Sequence, residues 1–365
     1  MRTPVAILGA TGMVGQVFVR LLAEHPWFEP AELVASPELA GRPYVDAVAW
    51  QGPGPVPPAV SDAVLVAPPD RLTSPVAFSA LGPGPARELE ARYADAGTWV
   101  FSNARVHRMD PDVPLVVPEV NGEHLAAAPA QDRAGALVTN PNCSTIGLTL
   151  ALAPLAPFGL VRAGVVSLQA LSGAGLKNGR LLELGDDLVP HIPGEEDKLE
   201  VESRKILGRL RDDGAVADAP LVVSATTTRV PVSSGHSLCV SVELERATTA
   251  GELRSAWREF RGRPQELGLP TAPDPAVLLV DDEDGPRPAL HRDAGGGMSV
   301  TVGRLRPEPL FGEPTGAGPR RGWRFVTLSH NLVRGAAGGS LLNAELCRAT
   351  GLLPSSSSTP VPHRS

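Results

Sequence analysis

A glycine-rich turn between a short apolar run and an amphipathic segment constrains the fold of this chain more than any other feature. The stretch "VAILGATGMVGQVFVRLLAEHPWF" carries Gly9, Gly12 and Gly15 between these two parts. Glycines in such a turn let backbone N–H groups approach a pyrophosphate, which the N-terminus of the following helix then binds. The pattern therefore predicts a dinucleotide site at the first strand-to-helix turn.

The first third of the chain alternates short apolar runs with helical stretches. The apolar runs are residues 5–8, 32–36, 64–67, 76–81 and 99–104. Alternation of this kind predicts βαβ units and a parallel sheet. A glycine pattern that follows the first strand of such a series is a much stronger signal than the same pattern alone.

The pattern changes after residue 143, where longer strand-like runs appear. These runs cover residues 164–175, 221–232, 236–244 and 298–305, with helices at about 194–210 and 249–261. They predict a second, α+β domain with a mixed or antiparallel sheet that carries helices on one face. We expect a Rossmann-type domain formed by residues 1–142 with 332–352, a catalytic and dimerisation domain formed by residues 143–331, and a disordered tail at 353–365.

Composition narrows the possible partners. The 365 residues carry a net charge of −7 without a basic stripe, which argues against nucleic acid and anionic membranes. No apolar run is long enough to span a membrane and the N-terminal segment lacks a signal-peptide core, so we expect a cytoplasmic protein. Three cysteines do not make a disulfide framework, and no histidine pair has metal-ligand spacing, so no metal is expected.

Cys143 lies in "TNPNCSTIGLTLALAPL", between a turn and an apolar helical run. We expect the helix to be capped at Cys143 or Ser144. A thiol at the first turn is near the positive end of the helix dipole and unpaired N–H groups, both of which favour the thiolate. This position predicts a nucleophile, against the plainer alternative of a small buried side chain. Cys239 and Cys347 lie in strand-like and helical patterns, and we expect both in the core.

A cysteine nucleophile beside a dinucleotide fold indicates hydride transfer to or from a thiol-bound acyl carbon. Such a reaction needs an acid or base. His236 follows a turn in "RVPVSSGHSLCVSV", where a side chain at the rim of a sheet can reach a cleft. A structural or exposed histidine is the alternative.

The end of the second apolar run bears on cofactor choice. Ser36 stands where an NAD enzyme usually places an acid, and a serine can bond to a 2′-phosphate. Arg42 can neutralise that phosphate, or it can be a solvated loop residue.

Eight motifs in order resemble aspartate-β-semialdehyde dehydrogenases of the archaeal and fungal type, over the chain to about residue 350. The motifs are "GATGMVGQ", "FSNARVHRMDPDVPLVVPEVN", "TNPNCSTIG", "QALSGAG", "EEDKLEVESRKILG", "RVPVSSGH", "GMSVTVGR" and "HNLVRGAAGGSLLNAE". The resemblance implies NADPH-dependent reduction of L-β-aspartyl phosphate through a cysteine thioester, in aspartate-family amino-acid biosynthesis. It also implies a homodimer or homotetramer.

The resemblance assigns roles to individual positions. It implies that Cys143 is the nucleophile, His236 the acid/base, and Gln169 the residue that places the substrate carbonyl. The substrate-binding residues that it implies are Arg229 for the α-carboxylate, Glu195 for the ammonium, Arg108 and Lys198 for phosphate, and Asn142 beside the thiol. The implied cofactor-binding residues are Gly9, Thr11, Gly12, Met13, Val14, Gly15, Ser36, Arg42, Ser172, Gly173 and Asn331.

Two alternatives remain at this point. Family members of this type often carry Ser-Glu-Arg where this chain has Ser36, Pro37 and Glu38, so NADP is expected and NAD is left open. The substrate can be another activated acyl group, such as malonyl-CoA or an N-acetylglutamyl phosphate, and Glu195 argues against malonyl-CoA because that substrate has no ammonium. A dinucleotide-binding regulatory protein without catalysis is disfavoured because Cys143 and His236 are both present.

Overall fold

The computed structural model describes residues 2–177, 180–311 and 318–353. Two main sheets organise these residues, as the sequence predicts. The expected disordered tail lies, from residue 354 onward, outside the described residues. Within the described ranges, no helix is long and apolar enough to cross a membrane.

The first sheet is parallel and has the order β2-β1-β3-β4-β5. Its strands are β1 (Thr3–Leu8), β2 (Phe28–Val34), β3 (Val76–Ser79), β4 (Trp99–Ser102) and β5 (Ala136–Thr139). The connecting helices are α1 (Met13–Leu22), α2 (Tyr44–Ala47), α3 (Pro58–Ser61), α4 (Pro83–Asp95) and α5 (Pro118–Asn121). The order in which the chain adds strands to the sheet reverses between β1 and β3. Parallel α/β sheets bind ligands at such a point, beyond the carboxyl ends of the strands.

The prediction of a strand at residues 64–67 in this sheet is wrong. Residues 64–67 form only isolated bridges, Val34 with Val66 and Pro43 with Val64. The fifth strand is instead β5, a run of four buried residues that the sequence reading passed over.

The second main sheet is mixed and has the order β11-β6-β12-β15-β14-β13. Its strands and the two small hairpins are β6 (Leu160–Gln169), β7 (Leu176–Lys177), β8 (Arg180–Leu181), β9 (Arg209–Leu210), β10 (Val216–Ala217), β11 (Val222–Arg229), β12 (His236–Thr248), β13 (Val277–Val280), β14 (Val300–Pro307) and β15 (Arg320–Ser329). The helices are α6 (Cys143–Leu152), α7 (Glu195–Ile206), α8 (Ala250–Glu259), α9 (Arg263–Glu266), α10 (Pro288–His291) and α11 (Gly338–Ala349).

Helices α6, α7 and α8 contact this second sheet, and their apolar side chains share one core with it. In β12 the buried residues alternate with more exposed ones, so one face of the strand packs against the core. Trp257 of α8 joins the layers because its indole N–H donates to the carbonyl of Ala151 at 2.9 Å and its ring meets Phe325 edge to face.

The other face of the second sheet carries exposed, uncharged side chains beside an ion pair between Arg162 and Glu243. Val166 and Val222 are 43% and 65% exposed, and Cys239 is exposed on the same sheet. The expectation that Cys239 lies in the core is therefore wrong, because Cys239 is on the side of β12 opposite to the core residues Leu238 and Val240. Cys347 is fully buried, as expected.

The C-terminal helix α11 returns to the first sheet. Leu341 and Leu342 pack in the same core cluster as residues of β1 and α1. Buried Glu345 contacts Nε2 of His25 at 2.8 Å, which ties the helix to the turn before β2. One π-helical turn, Val333–Ala337, precedes α11 and runs beside the start of α6.

Candidate active site

The glycine turn has the geometry that the sequence predicts. Gly9 has φ +78°, a conformation that side chains other than glycine rarely adopt. A Cβ on Gly15 would lie 2.1 Å from the carbonyl oxygen of Gly9, so only glycine lets α1 start this close to β1. Gly12 caps the helix without a side chain, which leaves N–H groups of the first turn available to an anion.

Two adjoining cavities lead from this turn to the thiol. The larger, about 600 Å³, is lined by residues that include Met13, Arg20, Ser172 and His330. The smaller, about 220 Å³, shares Met13, Ser172 and Leu332 with it and also contacts Cys143. The dinucleotide turn and the cysteine therefore open into one cleft between the two sheets.

Cys143 is the first residue of α6, but the N-cap is Asn142 and not Cys143 or Ser144 as expected. The side-chain oxygen of Asn142 accepts from the backbone N–H groups of Ser144 at 2.9 Å and Thr145 at 3.4 Å. On the facing side, a Cβ on Gly335 would lie 2.6 Å from the Cβ of Cys143. The cap and the close approach of Gly335 together fix the backbone that carries the thiol.

The folded cleft does not favour the expected thiolate. Burial raises the pKa of the Cys143 thiol to about 12, and the carboxylate of Glu195 acts in the same direction. The guanidinium groups of Arg108 and Arg229 and the N–H of Ser144 lower that pKa but do not outweigh burial. Loss of hydration is thus the dominant influence on this thiol.

The backbone of one residue, Ala170, holds both His236 and Arg229. Its N–H donates to Nδ1 of His236 at 3.0 Å, and its carbonyl accepts from Nη1 of Arg229 at 2.7 Å. Because Nδ1 accepts, the neutral ring carries its proton on Nε2, a buried atom without a partner among the described residues. Burial, with the charge of Arg229, lowers the pKa of His236 to about 3, so the ring is neutral at physiological pH.

The short turn Leu171–Ala174 brings these two side chains against Gly173. A Cβ on Gly173 would lie 2.7 Å from Nη1 of Arg229 and 3.0 Å from Nε2 of His236. Gly173 also lines the cavity that contains Cys143. His236 and Arg229 therefore lie against Gly173, which alone of the three lines the cavity of the thiol.

Glu195, the first residue of α7, is the centre of a polar network. One carboxylate oxygen accepts from Lys198 at 2.5 Å. The other accepts from the side-chain amides of Asn142 at 2.8 Å and Gln169 at 3.2 Å. Burial alone would raise the pKa of Glu195, but Lys198 and these hydrogen bonds hold it below the ordinary value. The structure therefore brings these four predicted residues together.

Arg108 lines the same cavity as Cys143 but already has protein partners. Its Nη1 donates to Glu202 at 2.9 Å and its Nη2 to the carbonyl of Asn103 at 2.8 Å. Its Nε is buried without a partner among the described residues.

Asn331 connects the turn that carries Ser172 to the loop before β12. Its amide donates to the hydroxyl of Ser172 at 2.9 Å, and its oxygen accepts from the N–H of Gly235 at 2.9 Å. Ser172 and Asn331 line the cleft, where they are expected to contact the cofactor.

Ser36 and Arg42 lie at the end of β2 and line neither cavity. Ser36 precedes a short 3₁₀ turn, and its hydroxyl bonds to Glu38 and lowers the pKa of that carboxyl. Arg42 donates to the backbone carbonyl of Asp46. The position expected to meet a 2′-phosphate therefore carries an ionised carboxylate.

Sequence reasoning missed three residues of this site. Ala170 acts through its backbone N–H and carbonyl, a role that its residue type does not reveal. Glu202 and Lys205 were detectable, because they continue the spacing of Glu195 and Lys198 along one face of α7.

A dinucleotide-binding parallel domain joined to a mixed-sheet domain, with a cysteine in the cleft between them, defines a thiol-dependent oxidoreductase. The chain belongs to the semialdehyde dehydrogenase family. Residues 4–128 match the NAD binding domain of that family, and residues 152–334 match its dimerisation domain.

Relatives support the archaeal and fungal resemblance. An Archaeoglobus fulgidus protein named aspartate-semialdehyde dehydrogenase is 45% identical over 351 residues, which are 95% of this chain and 98% of the relative. A Trichophyton rubrum protein of the same name is 40% identical over 93% of this chain and 95% of its own. A crystal structure of aspartate semialdehyde dehydrogenase with NADP from Candida albicans is 35% identical, with a TM-score of 0.85 and coverage of 96% of this chain and 99% of that one.

Proposed function

We propose that this protein is an NADP-dependent, phosphorylating aspartate-semialdehyde dehydrogenase. In the biosynthetic direction it reduces L-β-aspartyl phosphate to L-aspartate 4-semialdehyde and releases phosphate. The relatives of that name, which span nearly the whole chain, support this assignment over a reductase of malonyl-CoA or N-acetylglutamyl phosphate. The observation that carries it is the position of Cys143 in the cleft that starts at the glycine turn. Its helix cap, Asn142, binds Glu195, and His236 lies against Gly173, which lines the same cleft.

The cleft fits the cofactor because the uncapped first turn of α1 offers N–H groups to a pyrophosphate. Ser172, Gly173 and Asn331 lie between that turn and the thiol, and we assign them to the nicotinamide end. When bound, NADPH supplies the hydride that reduces the acyl carbon.

Cys143 carries the acyl group in this mechanism. Its thiol attacks the acyl carbon, the bond from that carbon to the phosphate oxygen breaks, and a thioester forms. The thiol proton passes to the leaving phosphate, which departs as hydrogen phosphate. Phosphate leaves toward Arg108 and Lys198, whose cationic groups suit it. After reduction, the bond between carbon and sulfur breaks to release the aldehyde, and the sulfur is ready for another turnover.

His236 acts on the reacting oxygen as a hydrogen-bond donor. Nε2 carries the proton in the observed tautomer, so the ring can donate to an oxyanion without first being protonated. It can accept a proton from the thiol only if the bond from the N–H of Ala170 to Nδ1 breaks. The fixed tautomer therefore favours stabilisation of the oxyanion by a neutral imidazole.

The remaining roles follow from charge. The guanidinium of Arg229 can form two parallel hydrogen bonds to the substrate α-carboxylate. Glu195 pairs with the ammonium, and Gln169, which already contacts Glu195, places the carbonyl. Only an α-amino acyl phosphate or its aldehyde uses the carboxylate, ammonium and phosphate sites together.

A coupled assay tests this function. Aspartate semialdehyde plus phosphate should reduce NADP⁺, and the unmodified protein should form a mass adduct on Cys143 when phosphate is withheld. Cys143→Ala should form no adduct, whereas Cys239→Ala, on the far side of the sheet, should behave as the unmodified protein. Turnover by Cys143→Ala would contradict the role of the thiol.

We also propose a homodimer that forms through the exposed face of the second sheet. Its uncharged side chains, among them Val166, Val222 and Cys239, support this surface. Cys239→Arg should convert the dimer to a monomer in light scattering, and Leu290→Arg, at an exposed position on α10, should not.

We propose further that the two domains are formed by residues 1–142 with 332–352 and by residues 143–331. The packing of α11 on the first sheet supports these boundaries.

A further inference from the structure

One face of α7 carries alternating charges at Glu195, Lys198, Glu202 and Lys205. Spacings of three and four residues place these side chains in a row along the helix. The first two belong to the substrate site proposed above. Glu202 and Lys205 are buried, and no role in the reaction has yet been given to them.

Glu202 joins two parts of the active site. One carboxylate oxygen accepts from Nη1 of Arg108 at 2.9 Å, and the other accepts from the backbone N–H of Asn142 at 2.7 Å. Asn142 is the N-cap of the helix that begins with Cys143. A single buried carboxylate thus sets the position of a phosphate-binding guanidinium relative to the thiol.

Lys205 holds the backbone that carries Arg108. Its ammonium donates to the carbonyls of Arg108 at 2.7 Å, Asp110 at 3.1 Å and Val113 at 3.1 Å. Three carbonyl acceptors use all three donors of the ammonium. Glu202 therefore fixes the charged end of Arg108, and Lys205 fixes its main chain.

We propose that Glu202 and Lys205 are positioning residues that hold Arg108 in register with Cys143 for the step in which phosphate leaves or attacks. This inference rests on the proposed function. The protein holds Nη1 and Nη2 of Arg108, and these two contacts fix the orientation of its guanidinium group. The Nε–H of the same group is buried without a partner among the described residues. Glu202 also compensates the charge of Arg108 while it lies in the apolar surroundings of the cleft.

Glu202→Gln tests this arrangement because the amide keeps the size of the side chain but cannot accept from both Arg108 and Asn142. The KM for phosphate should rise about tenfold to a hundredfold, the usual worth of a charge-assisted hydrogen bond. The KM for aspartate semialdehyde should change by less than about threefold, since Glu195 and Arg229 are untouched. Loss of folded protein alone would lower kcat and leave every KM unchanged.

Glu200→Gln is the matched control. Glu200 lies on the same helix and accepts a backbone N–H, that of Ala225 at 2.9 Å, away from Arg108. It should leave the KM for phosphate unchanged. If Glu202→Gln yields too little folded protein, Lys205→Gln makes the same test from the backbone side of Arg108.

A second measurement separates this inference from the proposed function. Inorganic phosphate should raise the Tm of the unmodified protein by binding to the folded state, and Glu202→Gln should need about tenfold more phosphate for the same shift. If the unmodified protein does not turn over aspartate semialdehyde, the proposed function is wrong, whatever the shift in Tm. An unchanged phosphate response in both Glu202→Gln and Lys205→Gln would overturn the positioning role.

Discussion

The backbone N–H of Ala170 donates to Nδ1 of His236 at 3.0 Å and so determines which ring nitrogen carries the proton. The backbone carbonyl of the same residue accepts from Arg229. A histidine held in this way keeps its N–H on Nε2, the atom that lies against Gly173, at every pH at which the ring is neutral. The end of β6 therefore aligns both the oxygen-binding and the carboxylate-binding groups.

The first prediction concerns this tautomer. Glutamine can place an amide N–H near the position of Nε2, whereas asparagine is too short to reach it. His236→Asn should lower kcat by about 10²- to 10⁴-fold, and His236→Gln should retain at least about tenfold more activity than His236→Asn. Steady-state rates of both variants check this. Equal losses would show that proton transfer, and not hydrogen-bond donation, is the role of the ring.

The second prediction concerns stability in acid. Burial lowers the pKa of His236 to about 3 and that of His330 to about 4, below the ordinary value of 6.5. Between each of these lowered values and 6.5, the unfolded chain binds more protons than the folded one. The free energy of unfolding therefore falls as the pH falls from about 6.5 toward 4. The slope is up to about 1.4 kcal/mol per pH unit for each group. Denaturant unfolding across this range should show the loss, and His330→Gln should reduce the slope. A slope unchanged by this substitution would contradict the prediction.

The third prediction uses the contact of Gly173 with the catalytic groups. A methyl group there would meet Nη1 of Arg229 at 2.7 Å and Nε2 of His236 at 3.0 Å, so one of them must move. Gly173→Ala should lower kcat/KM by about 10²-fold, the cost of a displacement near 1 Å. Gly84→Ala, where no atom of the described residues lies within 4 Å of the added Cβ, should be neutral. A fully active Gly173→Ala would place the reaction away from this turn.

Most of this arrangement is predictable from the sequence where a motif lies between the end of a strand and the start of a helix, as at Gly9 and Cys143. The misplacement of Cys239 was avoidable, because Leu238 and Val240 define the buried phase of β12 and Cys239 falls in the other phase. The raised pKa of Cys143 was not predictable, since it depends on how deeply the folded cleft excludes water. The role of Ala170 lies in its backbone and has no signature in the side chain.

The fourth prediction addresses cofactor preference. The hydroxyl of Ser36 lowers the pKa of Glu38, so this exposed carboxylate is ionised near the expected position of the 2′-phosphate. Glu38→Arg should lower the KM for NADPH by about two- to fivefold, in keeping with an exposed charge, and leave the KM for NADH nearly unchanged. Glu24→Arg, at an exposed position after α1, serves as the control for net charge. An equal effect on both cofactors would place the 2′-phosphate elsewhere.

The fifth prediction concerns recognition of the substrate carboxylate. Arg229 is buried at the end of β11, and its Nη1 is held by the carbonyl of Ala170. A lysine can keep one such contact but cannot form two parallel hydrogen bonds to a carboxylate. Arg229→Lys should therefore lower kcat/KM for aspartate semialdehyde by about 10²-fold or more, because the carbonyl is no longer fixed against Cys143.

The KM for phosphate separates this role from general damage to the site. It should stay nearly unchanged in Arg229→Lys, since phosphate is assigned to Arg108 and Lys198. Arg254→Lys, which alters the ion pair of Arg254 on α8 with exposed Asp281, should leave all constants unchanged. A rise in the KM for phosphate with normal use of the semialdehyde would exchange the assignments of Arg229 and Arg108, because the two guanidinium groups would then bind the opposite ends of the substrate.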